Sequence, residues 1–111
     1  MFERSRQGAV DVVTGEVPIH VDHVDTLSGV LSQCVAEGQP KIVLDLTGMA
    51  LFDSAGLELL LTIQKDCQRR GGMLKLAGAN PLCTEILSLT GVGNQFNCYE
   101  NTGEAVRSFV E

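Results

Sequence analysis

Short apolar segments that alternate with segments of helical periodicity restrict the fold of this chain most. Lys41–Leu46 and Met73–Ala77 are apolar runs next to proline or glycine, which is typical of strands buried on both faces of a sheet. Apolar residues at helical spacing follow each run, and they also occur between Val24 and Val35. Strands that alternate with helices predict a largely parallel central sheet with helices packed against it.

The two ends of the chain complete a predicted α/β fold with a mixed sheet. A strand over Phe2–Ser5 and another from Ala9 are expected to pair as an antiparallel edge, and Phe96–Tyr99 forms a short last strand. The expected architecture is a central sheet of about five strands, mostly parallel, flanked by about four helices. Because 111 residues suit one compact domain, we expect residues 1–111 to form a single domain.

Three predicted helices carry specific expectations about their ends and their packing. One helix is predicted over Leu57–Arg70, and the next begins with Asn80 as its cap and Pro81 in its first turn. Gly29 lies inside the first helix, where close packing against a neighbour would explain a glycine. The apolar stripe predicted for the helix after Pro81 consists of Leu82, Ile86 and Leu89.

The charge and the hydropathy of the chain disfavour several classes of function. Eight basic and fourteen acidic residues give a net charge of −6, which argues against binding to nucleic acid or to an anionic membrane. No segment has the pattern of a signal peptide or a membrane span, so we expect a cytoplasmic protein with no membrane insertion. The cysteines form no C-x-x-C pair and are expected to be reduced; they are Cys34, Cys67, Cys83 and Cys98.

The segment His20–Asp25, HVDHVD, contains residue types that bind metals. No second group of ligands is evident elsewhere in the sequence. We therefore expect a polar helix entry, with Asp22 or Asp25 as the cap, and neither a metal nor another cofactor.

The loop TGMALFDSAGL, between the Lys41–Leu46 strand and the next helix, holds the strongest candidate site. In open α/β sheets, ligands and chemistry lie beyond the carboxyl ends of strands. Asp53 and Ser54 could form a helix cap, a catalytic nucleophile or a site of reversible phosphorylation. A hydrolase elbow requires G-x-S-x-G, but Phe52 replaces the first glycine and no histidine follows Ser54, which argues against a hydrolase.

The motifs after Lys41 resemble the STAS domain of bacterial anti-sigma factor antagonists. KIVLDLTGMALFDSAGLELL, GGMLKLAGANP and ILSLTGVGNQF occur in the order of that family, and the resemblance extends from about Val10 to the end of the chain. It implies a STAS fold with no catalysis of its own. It also implies that an anti-sigma factor with serine kinase activity phosphorylates Ser54, and that a phosphatase resets it. The unphosphorylated form would sequester that kinase and free the sigma factor.

The resemblance also implies a surface through which the partner binds. Asp53 would shape the environment of Ser54, and Gly56 would let the loop and helix approach the partner closely. The implied partner-binding residues are Asp53, Ser54, Ala55, Gly56, Leu57 and Glu58.

One departure from the family pattern leaves alternatives open. The family motif G-E-[LIV]-D is G-E-V-P here, so Pro18 replaces an aspartate, and Asp22 or Asp25 would have to supply the charge. A STAS subunit of a lipid-transport ATPase complex is therefore the alternative function. A receiver domain is a weaker one: Asp45 ends an apolar strand as in receivers, but the acidic pair that would bind magnesium is missing after the first strand.

Overall fold

A five-stranded sheet forms the centre of the computed structural model, which describes residues 2–19, 21–36 and 38–110. The strands are β1 (Phe2–Gln7), β2 (Val10–Gly15), β3 (Lys41–Asp45), β4 (Met73–Ala77) and β5 (Cys98–Tyr99). The helices are α1 (Val24–Val35), α2 (Ser54–Arg69), α3 (Pro81–Thr90) and α4 (Thr102–Ser108), with a 3₁₀ turn over Val92–Gln95. The strand order is β1-β2-β3-β4-β5.

The sheet is mixed, as the sequence predicts. β1 and β2 are antiparallel and are joined by a tight turn in which Gly8 has a φ of +64°, a conformation that favours glycine. The pairs β2–β3, β3–β4 and β4–β5 are all parallel. Arg4 on the edge strand also stabilises a buried charge on β2, because its Nε lies 3.1 Å from Asp11 Oδ1. The predicted antiparallel amino-terminal edge is therefore confirmed.

Helices cover both faces of the sheet and divide the apolar interior in two. The larger core lies between the sheet and helices α1, α2 and α3, and includes Leu27, Leu44, Leu60 and Cys83. The smaller core lies under α4. Its buried members are Val10, Val12, Val43, Ala77 and Ala105. Since both faces of β3 and β4 are covered, their continuous apolar sequences are explained.

Helix α1 has the predicted apolar face but neither the predicted cap nor the predicted packing of its glycine. Leu27, Leu31, Cys34 and Val35 are buried. The cap position is occupied by His23, whose side chain makes no capping hydrogen bond, so the prediction of Asp22 or Asp25 as the cap is wrong. Gly29 is exposed, and a Cβ there would meet no atom within 4 Å, so close packing does not explain it.

Helix α3 begins as predicted but buries a different face. Asn80 Oδ1 accepts a hydrogen bond from Cys83 N at 2.7 Å, and Pro81 lies in the first turn. The buried residues are Cys83 and Leu87, whereas Leu82 and Leu89 of the predicted stripe are 49% and 78% exposed. The stripe prediction is right for Ile86, which is half-buried against the larger core. It is wrong for Leu82 and Leu89, because Cys83 faces the loop after β3, where its Sγ lies 3.4 Å from Met49 O.

Strand β5 is shorter than the predicted Phe96–Tyr99, because the 3₁₀ turn carries the chain as far as Gln95. A buried side chain takes the place of the missing part of the strand. Gln64 Oε1 accepts from Leu74 N at 2.8 Å, and Gln64 Nε2 donates to Leu74 O at 3.0 Å. Helix α2 thereby satisfies backbone groups of β4 that a longer β5 would otherwise pair.

Candidate functional site

Asp53 caps helix α2 and ties it to a distant segment of the chain. Its Oδ1 accepts a hydrogen bond from Gly56 N at 2.9 Å, which is the contact of an N-cap residue. Its Oδ2 accepts from Val21 N, also at 2.9 Å. Helix α2 therefore begins at Ser54, three residues before the predicted Leu57, and Asp53 rather than Ser54 is the cap.

Ser54 occupies the first position of α2, and its side chain is exposed. Within the described ranges, neither its hydroxyl nor the backbone amides of Ser54 and Ala55 make a hydrogen bond. Gly56 N is satisfied by the Asp53 side chain, and Leu57 N donates to Asp53 O at 3.0 Å. The amides of the first turn and the positive end of the helix dipole lie at the amino terminus of α2, where Ser54 stands, so a negative group on Ser54 would be stabilised there.

The segment before α1 packs against the loop that carries Ser54. Ile19 forms a parallel bridge with Phe52, in which Ile19 N donates to Leu51 O at 3.0 Å and Asp53 N donates to Ile19 O at 3.1 Å. A Cβ on Gly56 would lie 2.3 Å from Ile19 O and 2.8 Å from its Cγ2. The close approach that Gly56 permits is therefore to Ile19 of the same chain, and a partner-binding role for Gly56 itself stays a prediction.

The other side of the loop is held by the start of α3. Asn80 Nδ2 donates to Ala50 O at 3.0 Å, while the same side chain caps α3 through its oxygen. Met49 and Phe52 of the loop are buried in the larger core. The loop that leads into Ser54 is thus held on both sides by backbone and side-chain contacts. A site held in this way can present Ser54 on a surface that keeps its shape with or without a bound partner.

The predicted partner-binding residues differ in exposure. Ser54 and Glu58 are exposed, Asp53, Ala55 and Leu57 are half-buried, and Gly56 is buried. Val21, which sequence reasoning missed, is 66% exposed beside the Asp53 carboxylate. No local signal distinguishes it from Val24, the other valine of the HVDHVD segment, and its contact with Asp53 spans 32 positions of sequence.

Asp45 has a local structural role at the end of β3. Its Oδ1 accepts hydrogen bonds from Thr47 N at 3.0 Å and Thr47 Oγ1 at 2.6 Å, which shapes the turn after the strand. A cavity of about 680 Å³ adjoins this turn, and Glu3, Glu16 and Asp45 are among the residues that line it. The carboxyl edge of β2 and β3 is therefore acidic.

The other predicted features are only partly described by the structure. His20 lies outside the described residues, and the residues that are described contain no group of three or more metal-ligand side chains. Asp22 and Asp25 are exposed, and Pro18 is half-buried. Among the described residues, no disulfide joins Cys34, Cys67, Cys83 or Cys98 to another cysteine. In the described part of the chain, none of the helices has the length and apolar character needed to cross a membrane.

Comparisons with known proteins match the chain to a family and to several solved structures. A family model described as STAS domain matches residues 4–105. An anti-sigma factor antagonist from Mycobacterium paratuberculosis superposes with a TM-score of 0.90 at 21% identity, covering 100% of this chain and 94% of that chain. The phosphorylated form of the Bacillus cell fate determinant SpoIIAA gives 0.74 at 16% identity, with 98% and 99% covered. A sulfate transporter family protein from Wolinella succinogenes gives 0.80 at 23% identity, with 94% and 87% covered.

Proposed function

Since the chain belongs to the STAS domain family, we propose that it acts as an anti-sigma factor antagonist with no catalysis of its own. In its unphosphorylated form it binds and sequesters an anti-sigma factor that is also a serine kinase. That kinase transfers the γ-phosphoryl group of ATP to Ser54 Oγ, releasing ADP and passing the hydroxyl proton to a base of the kinase. The phosphorylated form releases the kinase, and a phosphatase restores the hydroxyl.

The position of Ser54 is the observation that carries this proposal. The hydroxyl is exposed, and it stands on the first residue of a helix whose preceding residue already provides the cap. A phosphate there can accept hydrogen bonds from the amides of Ser54 and Ala55 without displacing Asp53 from Gly56 N or Val21 N. Phosphorylation is therefore compatible with the folded loop.

The effect of the phosphate is expected to be electrostatic and local. A phosphoserine carries about −1.5 to −2 charges at neutral pH, and here it would lie next to the Asp53 carboxylate on a chain of net charge −6. A partner surface that fits the uncharged hydroxyl would meet like-charge repulsion and an added desolvation cost. The proposed switch thus changes the partner surface while the fold stays the same.

Mapping the phosphate after incubation with the candidate kinase and ATP tests this function. Mass spectrometry of the wild-type chain should locate the phosphate on Ser54, and Ser54→Ala should abolish labelling. Ser32→Ala is the matched control, because Ser32 is also an exposed serine on a helix, and its labelling should equal that of the wild type. Phosphate on another residue, or undiminished labelling of Ser54→Ala, would refute the proposal.

A STAS subunit of a lipid-transport ATPase complex is the second candidate, and Pro18 is the observation that favours it. Pro18 stands where the anti-sigma antagonist pattern has an aspartate, and it immediately precedes Ile19, which contacts the Ser54 loop. The surface through which this chain would bind an anti-sigma factor therefore lacks one negative charge that the family pattern has there. Co-purification of the tagged chain from its own host distinguishes the candidates, because this alternative predicts an ATPase and the main proposal predicts a serine kinase.

A further inference from the structure

Two charged side chains are buried in the described part of the chain, and their environments differ. Asp11 is paired with Arg4, whose Nε lies 3.1 Å from Asp11 Oδ1. Lys75, on β4, is only 7% exposed, yet it takes part in none of the ion pairs formed between described residues. A buried ammonium group without an anion is unfavourable, because the lost hydration is not replaced by an opposite charge.

The contacts of Lys75 leave part of its hydrogen-bonding capacity unused. Its Nζ donates to Ser108 Oγ at 2.6 Å and lies 4.2 Å from the ring centroid of Phe109. An ammonium group has three N–H donors. The Ser108 hydroxyl cannot act as an anion, and it donates its own hydrogen to Ala105 O at 2.6 Å. Lys75 therefore retains donors for a further acceptor.

A cavity of about 270 Å³ lies beside Lys75 at the amino ends of β3 and β4. Lys41 also lines it, together with Gln39, Met73, Ser108 and Phe109. The register explains why the two lysines meet there: Val43 pairs with Lys75, so Lys41 lies two residues away on β3 and points to the same face of the sheet. None of the described residues that line it is acidic.

The charge of this cavity contrasts with the rest of the molecule. The chain has a net charge of −6, and the larger cavity at the carboxyl edge of the sheet is lined by Glu3, Glu16 and Asp45. Two cationic side chains in one concave site are therefore not explained by a generally basic surface. β3 spans five residues, so its amino and carboxyl ends are roughly 13 Å apart. Lys41, at the amino end, is therefore well separated from the loop that follows the carboxyl end and leads to Ser54.

We propose that this cavity is a binding site for a small oxyanion, a phosphate or carboxylate group, held between Lys75 and Lys41. The oxyanion accepts the remaining N–H donors of Lys75 and those of Lys41, and thereby supplies the missing countercharge. Phe109 and Met73 provide apolar walls, so a group attached to the oxyanion can extend along them. The site lies at the amino ends of β3 and β4, whereas Ser54 lies beyond the carboxyl end of β3. The proposal therefore does not depend on the function proposed for Ser54.

Titration of the full chain with inorganic phosphate, and separately with benzoate, tests this site. Both titrations are followed by amide chemical shifts at low ionic strength, since salt screens such contacts. The expected result is saturable shifts at Gln39, Lys75 and Ser108 with at least one of the two probes. Which probe binds more tightly identifies the preferred group. The proposal fails if neither probe produces saturable shifts at these residues up to about 10 mM.

Three lysine variants separate specific binding from general charge attraction. Lys75→Met and Lys41→Met should each weaken the affinity of the probe about 10- to 100-fold, the usual effect of losing a hydrogen bond to a charged group. Lys65→Met is the matched control, because Lys65 is exposed on α2 and its loss changes the net charge equally without affecting the affinity. Affinities of Lys75→Met and Lys41→Met equal to that of Lys65→Met would overturn the proposal.

The test can be interpreted even if one of the two cavity variants does not fold. Methionine is unbranched and apolar, so it fills the space of the buried Lys75 stem without a charge. Lys41 is half-buried at the end of β3, so Lys41→Met provides an independent test if Lys75→Met loses its dispersed amide spectrum.

Discussion

The same substitution at two helical glycines should change the stability of this protein in opposite directions. Gly29 and Gly56 both lie in α-helices, at exposed and buried positions respectively. At Gly29 an added Cβ meets nothing within 4 Å, so Gly29→Ala should show only the higher helix propensity of alanine, a gain of about 1 kcal/mol. At Gly56 the added Cβ lies 2.3 Å from Ile19 O.

The cost at Gly56 follows from how firmly Ile19 is held. Its backbone forms hydrogen bonds on both sides, to Leu51 O at 3.0 Å and from Asp53 N at 3.1 Å, so the carbonyl cannot move away without breaking the bridge. Overpacking costs about 1–3 kcal/mol, and a contact of 2.3 Å with a fixed backbone atom places the cost at the upper end, about 2–3 kcal/mol, which outweighs the gain in helix propensity. Gly56→Ala should therefore be less stable than the wild type by about 1–2 kcal/mol.

Thermal unfolding followed by circular dichroism measures both effects. For a chain of 111 residues, 1 kcal/mol corresponds to a change in Tm of about 4 °C. Gly29→Ala should raise the Tm by about 4 °C, and Gly56→Ala should lower it by about 4–8 °C. A Gly56→Ala protein as stable as the wild type would refute the conclusion that the Ser54 loop is fixed by contact with Ile19.

The other predictions concern the cap of α2 and a buried thiol. Asp53→Ala removes the acceptor for both Gly56 N and Val21 N and should lower the free energy of unfolding by about 1–2 kcal/mol, measured by urea titration. Asp53→Asn keeps one acceptor and should lose less; an equal loss would contradict the cap assignment. Burial raises the pKa of Cys67 to about 12, with a smaller contribution from nearby Asp66. Since the thiol is protonated when folded but ionises when unfolded, stability should fall as the pH rises from about 9 towards 12. Urea titrations across this range should show a shallower fall for Cys67→Ala, and an unchanged slope would refute the contribution of Cys67.

The fold followed from the sequence because its main signals are local. The apolar runs of β3 and β4 are bounded by proline or glycine, and each is followed by a helix of the expected period. The start of α3 was equally readable, since Asn80 and Pro81 satisfy the requirements of a helix amino terminus by themselves.

The features that the sequence did not reveal depend on distant contacts. The face that α3 buries is set by Cys83 against Met49, and the length of β5 reflects the replacement of its first part by the Gln64 side chain. Neither contact has a periodic signal. The two exposed leucines of α3 are apolar and lie at helical spacing, which is why the periodic pattern placed them on the buried face.

The candidate site likewise combines features with a local sequence signal and features that depend on distant contacts. The Asp53-Ser54 pair could be located from its place after a buried strand, and its role as a helix start followed from residue type. Its connection to Val21 and Ile19 could not be predicted, because those residues lie more than 30 positions earlier in the chain. The lysine cavity required the register of β3 and β4 as well as the placement of α4.

The affinity of the phosphorylated chain for its kinase partner tests the central claim most directly. Phosphoserine is incorporated at position 54, and, as a matched control, at the exposed Ser32 in a second preparation. Isothermal titration calorimetry then compares both with the unmodified chain. We expect phosphate at position 54 to weaken binding at least about tenfold, and phosphate at position 32 to leave it unchanged. Equal or tighter binding of the chain phosphorylated at position 54 would contradict the proposed switch.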